Sequence, residues 1–248
     1  MSHAILFEDV VFRYHPQSQP LRLNVALADG QVTAVVGLSG SGKSTLLQLI
    51  NGMVRPEKGS VSVLGHPIDY TRLQDLRRKV GYMVQGAGLF PHLTIEKNIG
   101  IASRIMHEPV SEERINDLME QMGLPRSYRQ RHPYQLSGGE QQRAAICMAL
   151  YARPPVLLMD ESLSSLDAIT RVEVQGQLLA LQEHEHCTVV LVTHDMQEAL
   201  RLGDQLLVLN DGSVQAFGSL QEVRSSPNEH VQKLFAYATQ MKPKSTRP

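Results

Sequence analysis

The stretch TAVVGLSGSGKSTLLQLING, Thr33 to Gly52, decides how the rest of the sequence is read. It opens as an apolar run, passes through GxxxxGK(S/T), and continues with leucines at helical spacing as far as Gly52. A buried strand, a glycine loop and a helix in that order leave backbone N–H groups unpaired at the helix start, where they can wrap phosphate oxygens. Gly37, Ser39, Gly40, Ser41, Gly42 and Thr45 would form the cradle. Lys43 would set a cation beside the β and γ phosphates, and Ser44 would offer a hydroxyl to Mg2+. This is nucleotide chemistry, but the loop alone does not separate a kinase, a GTPase and an ATPase.

Two segments downstream narrow the choice. PPVLLMDES, Pro154 to Ser162, is an apolar strand ending in two acids. Asp160 is expected at the carboxyl end of the sheet near Mg2+, and Glu161 beside the γ-phosphate, where it can polarise an attacking water as general base. TVVLVTHD carries His194 to the end of another buried strand, the place where ligands of parallel sheets bind. A further segment, QLSGGEQQRAA from Gln135 to Ala145, has two adjacent glycines and a serine but no lysine. Ser137 can N-cap a helix, and Gly138 and Gly139 let a ligand approach the backbone. Its bland interpretation is an ordinary capped helix. A helix start is nonetheless an anion site even without lysine. The chain has one loop that cradles a whole triphosphate, so this second loop could take the γ-phosphate of a nucleotide held by another copy.

These motifs in this order resemble the ATP-binding cassette ATPases, the nucleotide-binding subunits of ABC transporters. LSGGEQQR matches that family's signature motif residue for residue, and the resemblance covers roughly Ala4 to Gln240. It implies ATP and Mg2+ as cofactors, with Glu161, His194, Gln85 and Lys43 catalytic and Ser44, Gln85 and Asp160 at the metal. Tyr14 in VVFRY would stack on adenine. Gln85 in YMVQGAGLF would link the metal site to the transporter, and Asp167 in SSLDA would belong to the loop that crosses to the partner subunit. The implied assembly is a head-to-tail homodimer around two ATP molecules. It would drive transmembrane permease subunits, with a solute-binding protein in the complex, from the cytoplasmic face of the inner or plasma membrane, where the chain would be peripheral. One departure is Ser162, where the family usually has proline. A proline restricts the residue before it, so serine is expected to loosen Glu161.

GLFPHLTIEKNI, Gly88 to Ile99, resembles the LFPHxTVxENI pattern of bacterial importers. Phe90 and Leu93 are expected either to receive a permease's coupling helix or to pack the helical insert on the core. SSLDAITR and SSPNEHVQKLF resemble ATPases of osmoprotectant or quaternary-amine importers. The competing functions are a soluble cassette switch on DNA or ribosomes, and an ATP-gated regulatory module with little turnover. The switch usually carries a long coiled-coil insertion or two cassettes in one chain, and this sequence has neither. A small-molecule kinase would leave LSGGEQQR without a job.

Composition agrees with this choice. The 248 residues carry 24 Lys plus Arg against 25 Asp plus Glu, a net charge of -1, so no global positive field collects nucleic acid, which is not expected as a partner. With 42% hydrophobic residues the chain can bury a core. The two cysteines, Cys147 and Cys187, lie far apart without metal or disulfide spacing, which fits a reducing, cytoplasmic compartment. No run approaches the ~20 apolar residues of a membrane helix, and the N-terminus has no leader pattern, so the chain is expected to be neither exported nor membrane-spanning by itself.

The expected fold class is α/β: a P-loop NTPase core with a mainly parallel sheet, an N-terminal antiparallel β subdomain and a helical subdomain. The resemblance implies a single ATPase domain over 1–248, with 1–93 and 151–240 as the catalytic core and β subdomain and 94–150 as the helical subdomain that carries the signature motif. Ser111 is placed as an N-cap in the insert. Residues 241–248 are expected to fray. EHEHC, Glu183 to Cys187, is expected to be a solvated loop rather than a metal site.

Overall fold

One sheet of ten strands runs through residues 2–240, the part of the chain that this computed structural model describes. The expected frayed tail, 241–248, lies outside the described residues. The N-terminal part holds β1 (His3–Phe12), β2 (Leu21–Ala28), β3 (Val32–Gly37), α1 (Lys43–Ile50), β4 (Lys58–Val63), β5 (His66–Pro67), α2 (Leu73–Arg77) and β6 (Val80–Met83). Helices follow: α3 (Ile95–Ile99), α4 (Ile101–Met106), α5 (Glu112–Gln121) and, after two short 3-10 turns, α6 (Gly138–Leu150). The chain then alternates through β7 (Val156–Asp160), α7 (Ala168–Glu185), β8 (Thr188–Val192), α8 (Met196–Leu202) and β9 (Gln205–Asn210). It ends with β10 (Ser213–Ser219), α9 (Leu220–Arg224) and α10 (Glu229–Gln240).

The strand order is β5-β4-β1-β2-β10-β9-β3-β8-β7-β6. From β9 to β6 every neighbouring pair is parallel, and from β5 to β2 every pair is antiparallel. The α/β class is therefore as expected, with one refinement: β10 joins the two regions into a continuous sheet, antiparallel to β9 and parallel to β2 where Ser213 faces Arg22. Every residue of β3 is buried, because helices cover both faces of a parallel sheet and leave no alternation to see. One side is filled by α1 and the antiparallel strands around Phe7, Leu46 and Leu158. The other takes residues of α3, α5 and α6, with Ile99, Leu118 and Ile146 packed beside Met159 and Leu191. A third cluster sits under the C-terminal helices, around Val36, Leu206 and Val231.

Local signals in the sequence account for the helix starts. Ser111 caps α5 by accepting from Arg114 N at 3.2 Å, as expected. The apolar pattern from Thr94 to Met106 looks like one helix, but the structure breaks it at Gly100, whose missing side chain lets Val110 approach. The short α2 has no side-chain cap and no buried residue, so nothing in the sequence marked it.

EHEHC departs from the expected solvated loop. It forms the end of α7, with His184 and His186 outward, while the Glu185 side chain turns inward and is only 5% exposed. There it meets Arg114 of α5 in a forked pair, Nη1 to Oε1 at 2.6 Å and Nη2 to Oε2 at 2.9 Å. Arg114 also donates to Leu150 O and Tyr151 O. The Tyr151 hydroxyl accepts from Ser111 N and Ser103 Oγ. One polar cluster thus fastens α4 and α5 to the ends of α6 and α7.

Burial alone would raise the Glu185 carboxyl, but the hydrogen bond and charge of Arg114 outweigh it and hold the group below its usual range. A carboxyl lowered in the fold contributes stability above its unfolded value and loses it as pH falls through the folded one. Glu185→Gln should therefore cost about 3–5 kcal/mol of unfolding free energy at neutral pH, the usual penalty for stranding one partner of a buried pair. Denaturant unfolding of both proteins as a function of pH should show the gap narrowing below the ordinary carboxylate range.

Candidate active site

Three adjacent parallel strands end at one edge and carry most of the candidate residues. β3 ends at Gly37, β7 at Asp160, and β8 at Val192, two residues before His194. Val192 pairs with Val35 on one side and with Asp160 on the other, so the register aligns the three ends. The loop from Gly37 to Gly42 then turns into α1, with Gly42 at φ 103°, a conformation open only to glycine without strain. Below it Leu46, Leu47, Leu49 and Ile50 are fully buried, each contributing roughly 1.5–3 kcal/mol that holds the helix start in place. As expected, the helix stops just before Gly52.

Lys43 lies inside this loop, its Nζ donating to Gly37 O at 2.9 Å and Leu38 O at 3.0 Å. Burial lowers its pKa, against the opposing pull of Glu161 and Asp160. It has no carboxylate contact among the described residues, so its charge remains available to an anion. Ser41 is buried and its hydroxyl has no hydrogen-bond partner. Both features suit a phosphate group. Ser44 donates to Asp160 Oδ1 at 3.1 Å, which sets two hard oxygen donors side by side. Such a pair fits Mg2+, which binds through one or two protein oxygens plus substrate phosphates. Burial raises the Asp160 pKa, the Ser44 hydrogen bond lowers it, and the neighbouring Glu161 adds to the rise.

Glu161 stands at φ 45° and its carboxylate Oε2 lies 3.3 Å from His194 Nδ1. Two hydrogen bonds flank Glu161 at the position ahead of Ser162. Glu161 N donates to Val192 O at 3.0 Å, and Glu161 O accepts from the Ser164 hydroxyl at 2.8 Å, so both sides of the residue are tied without a proline. Ser162 itself is buried, with a hydroxyl that finds no partner.

Tyr14 is brought to the same end by β1. Its hydroxyl donates to Gln48 Oε1 at 2.6 Å and lies 3.3 Å from Thr45 Oγ1, and its ring stands edge-on to Phe12. With Gly40, Ser41, Gly42 and Thr45 it lines a cavity of about 270 Å³. Gln48 was not singled out in the sequence, since only the fold brings it to Tyr14. Gln85 is exposed two residues beyond β6, whose last residue Met83 pairs with Met159, the residue before Asp160.

The lysine-free loop forms a separate polar cleft of about 570 Å³, where Ser137, Gly138 and Gly139 face Ser165, Asp167 and Thr170. Ser137 caps α6 as expected, and a reciprocal bond from Ser137 N to Glu140 Oε2 at 2.8 Å completes a capping box. A Cβ on Gly139 would meet Thr170 Cγ2 at 2.6 Å, so the glycine lets the loop close on α7. Asp167 caps α7 by accepting from Ile169 N and Thr170 N, both at 3.1 Å. A hydrogen bond with the Thr170 side chain, followed by that from Thr170 N, holds its pKa down. This cleft shares no lining residue with the Tyr14 cavity.

If the Tyr14 ring carries the adenine, Tyr14→Ala should weaken nucleotide binding by about 1–3 kcal/mol, roughly 5- to 150-fold. Tyr14→Phe, which keeps the ring and loses the Gln48 bond, should cost about 0.5–1.5 kcal/mol. Titration with a fluorescent ATP analogue checks both.

Comparison with known proteins agrees with this geometry. The profile of the ABC transporter family matches residues 21–164. The chain is 37% identical to the choline transport ATP-binding protein OpuBA of Bacillus subtilis over 86% of its own length and 56% of that protein's. It is 38% identical to the glycine betaine uptake system ATP-binding protein YehX of Escherichia coli, over 86% of this chain and 70% of the relative. A sulfate/thiosulfate import ATP-binding protein, CysA of Mycobacterium tuberculosis, is 38% identical over 92% of this chain and 64% of its own. The chain thus spans little more than half the length of some curated relatives. Among solved structures, cbiO1 of Clostridium perfringens, part of the ABC transporter complex cbiONQ, superposes with a TM-score of 0.82 at 25% identity, covering 97% of this chain and 98% of that one. The dimeric cassette MJ0796 bound to ADP and Pi gives 0.75 at 32% identity, over 87% of this chain and 98% of that one. With its phosphate cradle, paired acids and signature loop all inside the matched region, the chain belongs to the ABC transporter family.

Proposed function

We propose that this chain is the ATP-hydrolysing subunit of a bacterial importer, and that two copies close head to tail around two molecules of Mg-ATP. The observation that carries this is the presence of two incomplete sites on one chain. The first has a cradle, a lysine, paired acids and a histidine; the second has a capped helix start and no lysine, its one lining cation, Arg143, being paired with Glu173. A dimeric neighbour holding ADP and Pi supports the pairing.

In this scheme Tyr14 stacks on the base, while Lys43 and the backbone of residues 37–45 hold the phosphates. Ser44 and Asp160, with Gln85 moving in from the β6 end, would hold Mg2+, which supplies charge neutralisation at the phosphates. Ser137, Gly138 and Gly139 of the second copy cap the γ-phosphate through the helix start, and Asp167 lines the contact between copies. Glu161 takes a proton from the attacking water, and His194, held by Glu161, faces the γ-phosphate. The closed site excludes bulk water, which strengthens each of these charge contacts.

The permease reading rests on a groove of about 670 Å³ between α2, β6, α4 and α6. Phe90 and Ile105 are exposed there, with Met148 beside them, and Arg77 and Arg78 stand at its edge with no acidic lining residue. Leu93 is half-buried and outside this lining, so of the two expected docking residues only Phe90 faces the groove. An amphipathic helix of a transmembrane subunit, apolar on one face and acidic at the end nearest α2, suits this surface. It would hold the chain as a peripheral subunit on the cytoplasmic face, with a solute-binding protein on the other side. No helix among the described residues is long and apolar enough to cross a membrane. A quaternary amine or related osmoprotectant is the proposed solute, supported by the choline and glycine betaine systems among the relatives.

Glu161→Gln should keep ATP binding within about threefold and lower hydrolysis by about 10²–10⁴. It should also accumulate as an ATP-dependent dimer in light scattering; a variant that stays monomeric with saturating Mg-ATP would rule out the paired site. Charge reversal of Arg77 and Arg78 to Glu should leave ATP hydrolysis by the isolated chain within about twofold while abolishing co-purification with the permease.

A further inference from the structure

Arg171 closes the SSLDAITR stretch without having been given a role, and its guanidinium joins that stretch to the segment after His194. One turn into α7, Nη2 donates to Leu166 O at 2.7 Å and to Ser164 O at 3.2 Å, in the segment between Glu161 and Asp167. On its other side Nη1 donates to Asp195 Oδ2 at 3.1 Å. Asp195 is the residue after His194, and its remaining carboxylate oxygen Oδ1 caps α8 by accepting from Gln197 N at 2.8 Å.

These contacts close a ring. Glu161 O accepts from the Ser164 hydroxyl, Ser164 O from Arg171, and Asp195 from Arg171, while His194 Nδ1 returns to Glu161 Oε2 at 3.3 Å. A cavity of about 460 Å³ lies between α7 and α8 where Arg171 and Asp195 meet. Beside the Gln175 to Glu198 hydrogen bond, the ion pair therefore spans a gap and does not seal a packed face. A planar fork with several donors is suited to holding two segments at a fixed distance; a lysine in its place would have one point charge to divide among the same acceptors.

The geometry points to Arg171 as a positioning residue that couples the segment meeting the second copy, residues 164–167, to the Glu161–His194 pair. When that segment docks on the partner, a shift of Ser164 and Leu166 pulls on Arg171, and through Asp195 on His194. Each site would then hydrolyse ATP only when both copies are in place. The inference rests on the dimeric ATPase proposed above and adds the device by which docking reaches the catalytic groups.

Two single variants test it. Arg171→Lys keeps the charge and loses the fork. Asp195→Asn keeps the cap at Oδ1 but turns an NH2 group toward Nη1, so it breaks the ring at one contact. Each should lower kcat about tenfold while KM for ATP, the monomer's affinity for a fluorescent ATP analogue, and Tm remain close to wild type. The double variant should be no slower than the slower single one, because both open the same ring. Wild-type kcat in both variants would overturn the proposal. So would losses that multiply in the double variant, or a kcat loss matched by shifts in KM and Tm. The wild-type rate measured against protein concentration keeps the two claims apart: strict proportionality would count against the dimeric site itself, not only against the ring.

Discussion

The parallel pairing of β3, β8 and β7 is the constraint on which the molecule depends. Val192 sits between Val35 and Asp160 in that pairing, and a slip of one residue would send every side chain of a strand to the opposite face. Because both faces are buried, such a slip would also place core residues against the wrong helices. The register is therefore strongly held, and it brings the glycine loop, the acid pair and the histidine to one edge. The chemistry needs these groups within a few ångströms of one another although they come from residues as far apart as Gly37 and His194.

A second consequence concerns what one copy lacks. The helix start at Ser137 is capped, open and without a lysine, while Lys43 is enclosed in the other loop. Arg114 and Glu185 fasten the helices that carry the signature loop to the core at a buried point, so the loop is presented by a firmly attached body. The apolar groove lies on another part of the same insert, with Phe90 and Ile105 in it. In the proposed dimer a force applied at the groove would reach the second site through packed helices, and Arg171, bonded to Ser164, Leu166 and Asp195, would offer a separate route to Glu161 and His194.

Much of this was legible in the sequence because the informative contacts are local. A glycine loop between strand and helix, Ser111 and Ser137 ahead of their helices, and acids at the end of an apolar strand each specify geometry within a few residues. Contacts between distant residues left no such trace. Gln48 meets Tyr14, Arg114 meets Glu185 and Arg171 meets Asp195 only because the sheet brings their elements together. EHEHC was misread for the same reason: its polar alternation suggests solvent, and the buried partner of Glu185 lies on another helix. For Leu93 the motif left docking and packing both open, and only the fold, which turns it partly inward and outside the groove, separates it from Phe90.

The central claim is that each nucleotide is bound by the cradle of one copy and the lysine-free loop of another. Mixing two inactive variants, Lys43→Met and Ser137→Arg, tests it most directly, because a head-to-tail pair of the two contains one site with both halves intact. The account predicts negligible ATP hydrolysis by either variant alone and clear recovery in the mixture, rising with the heterodimer fraction. No recovery in a mixture shown to form heterodimers, or substantial hydrolysis by Ser137→Arg alone, would contradict it.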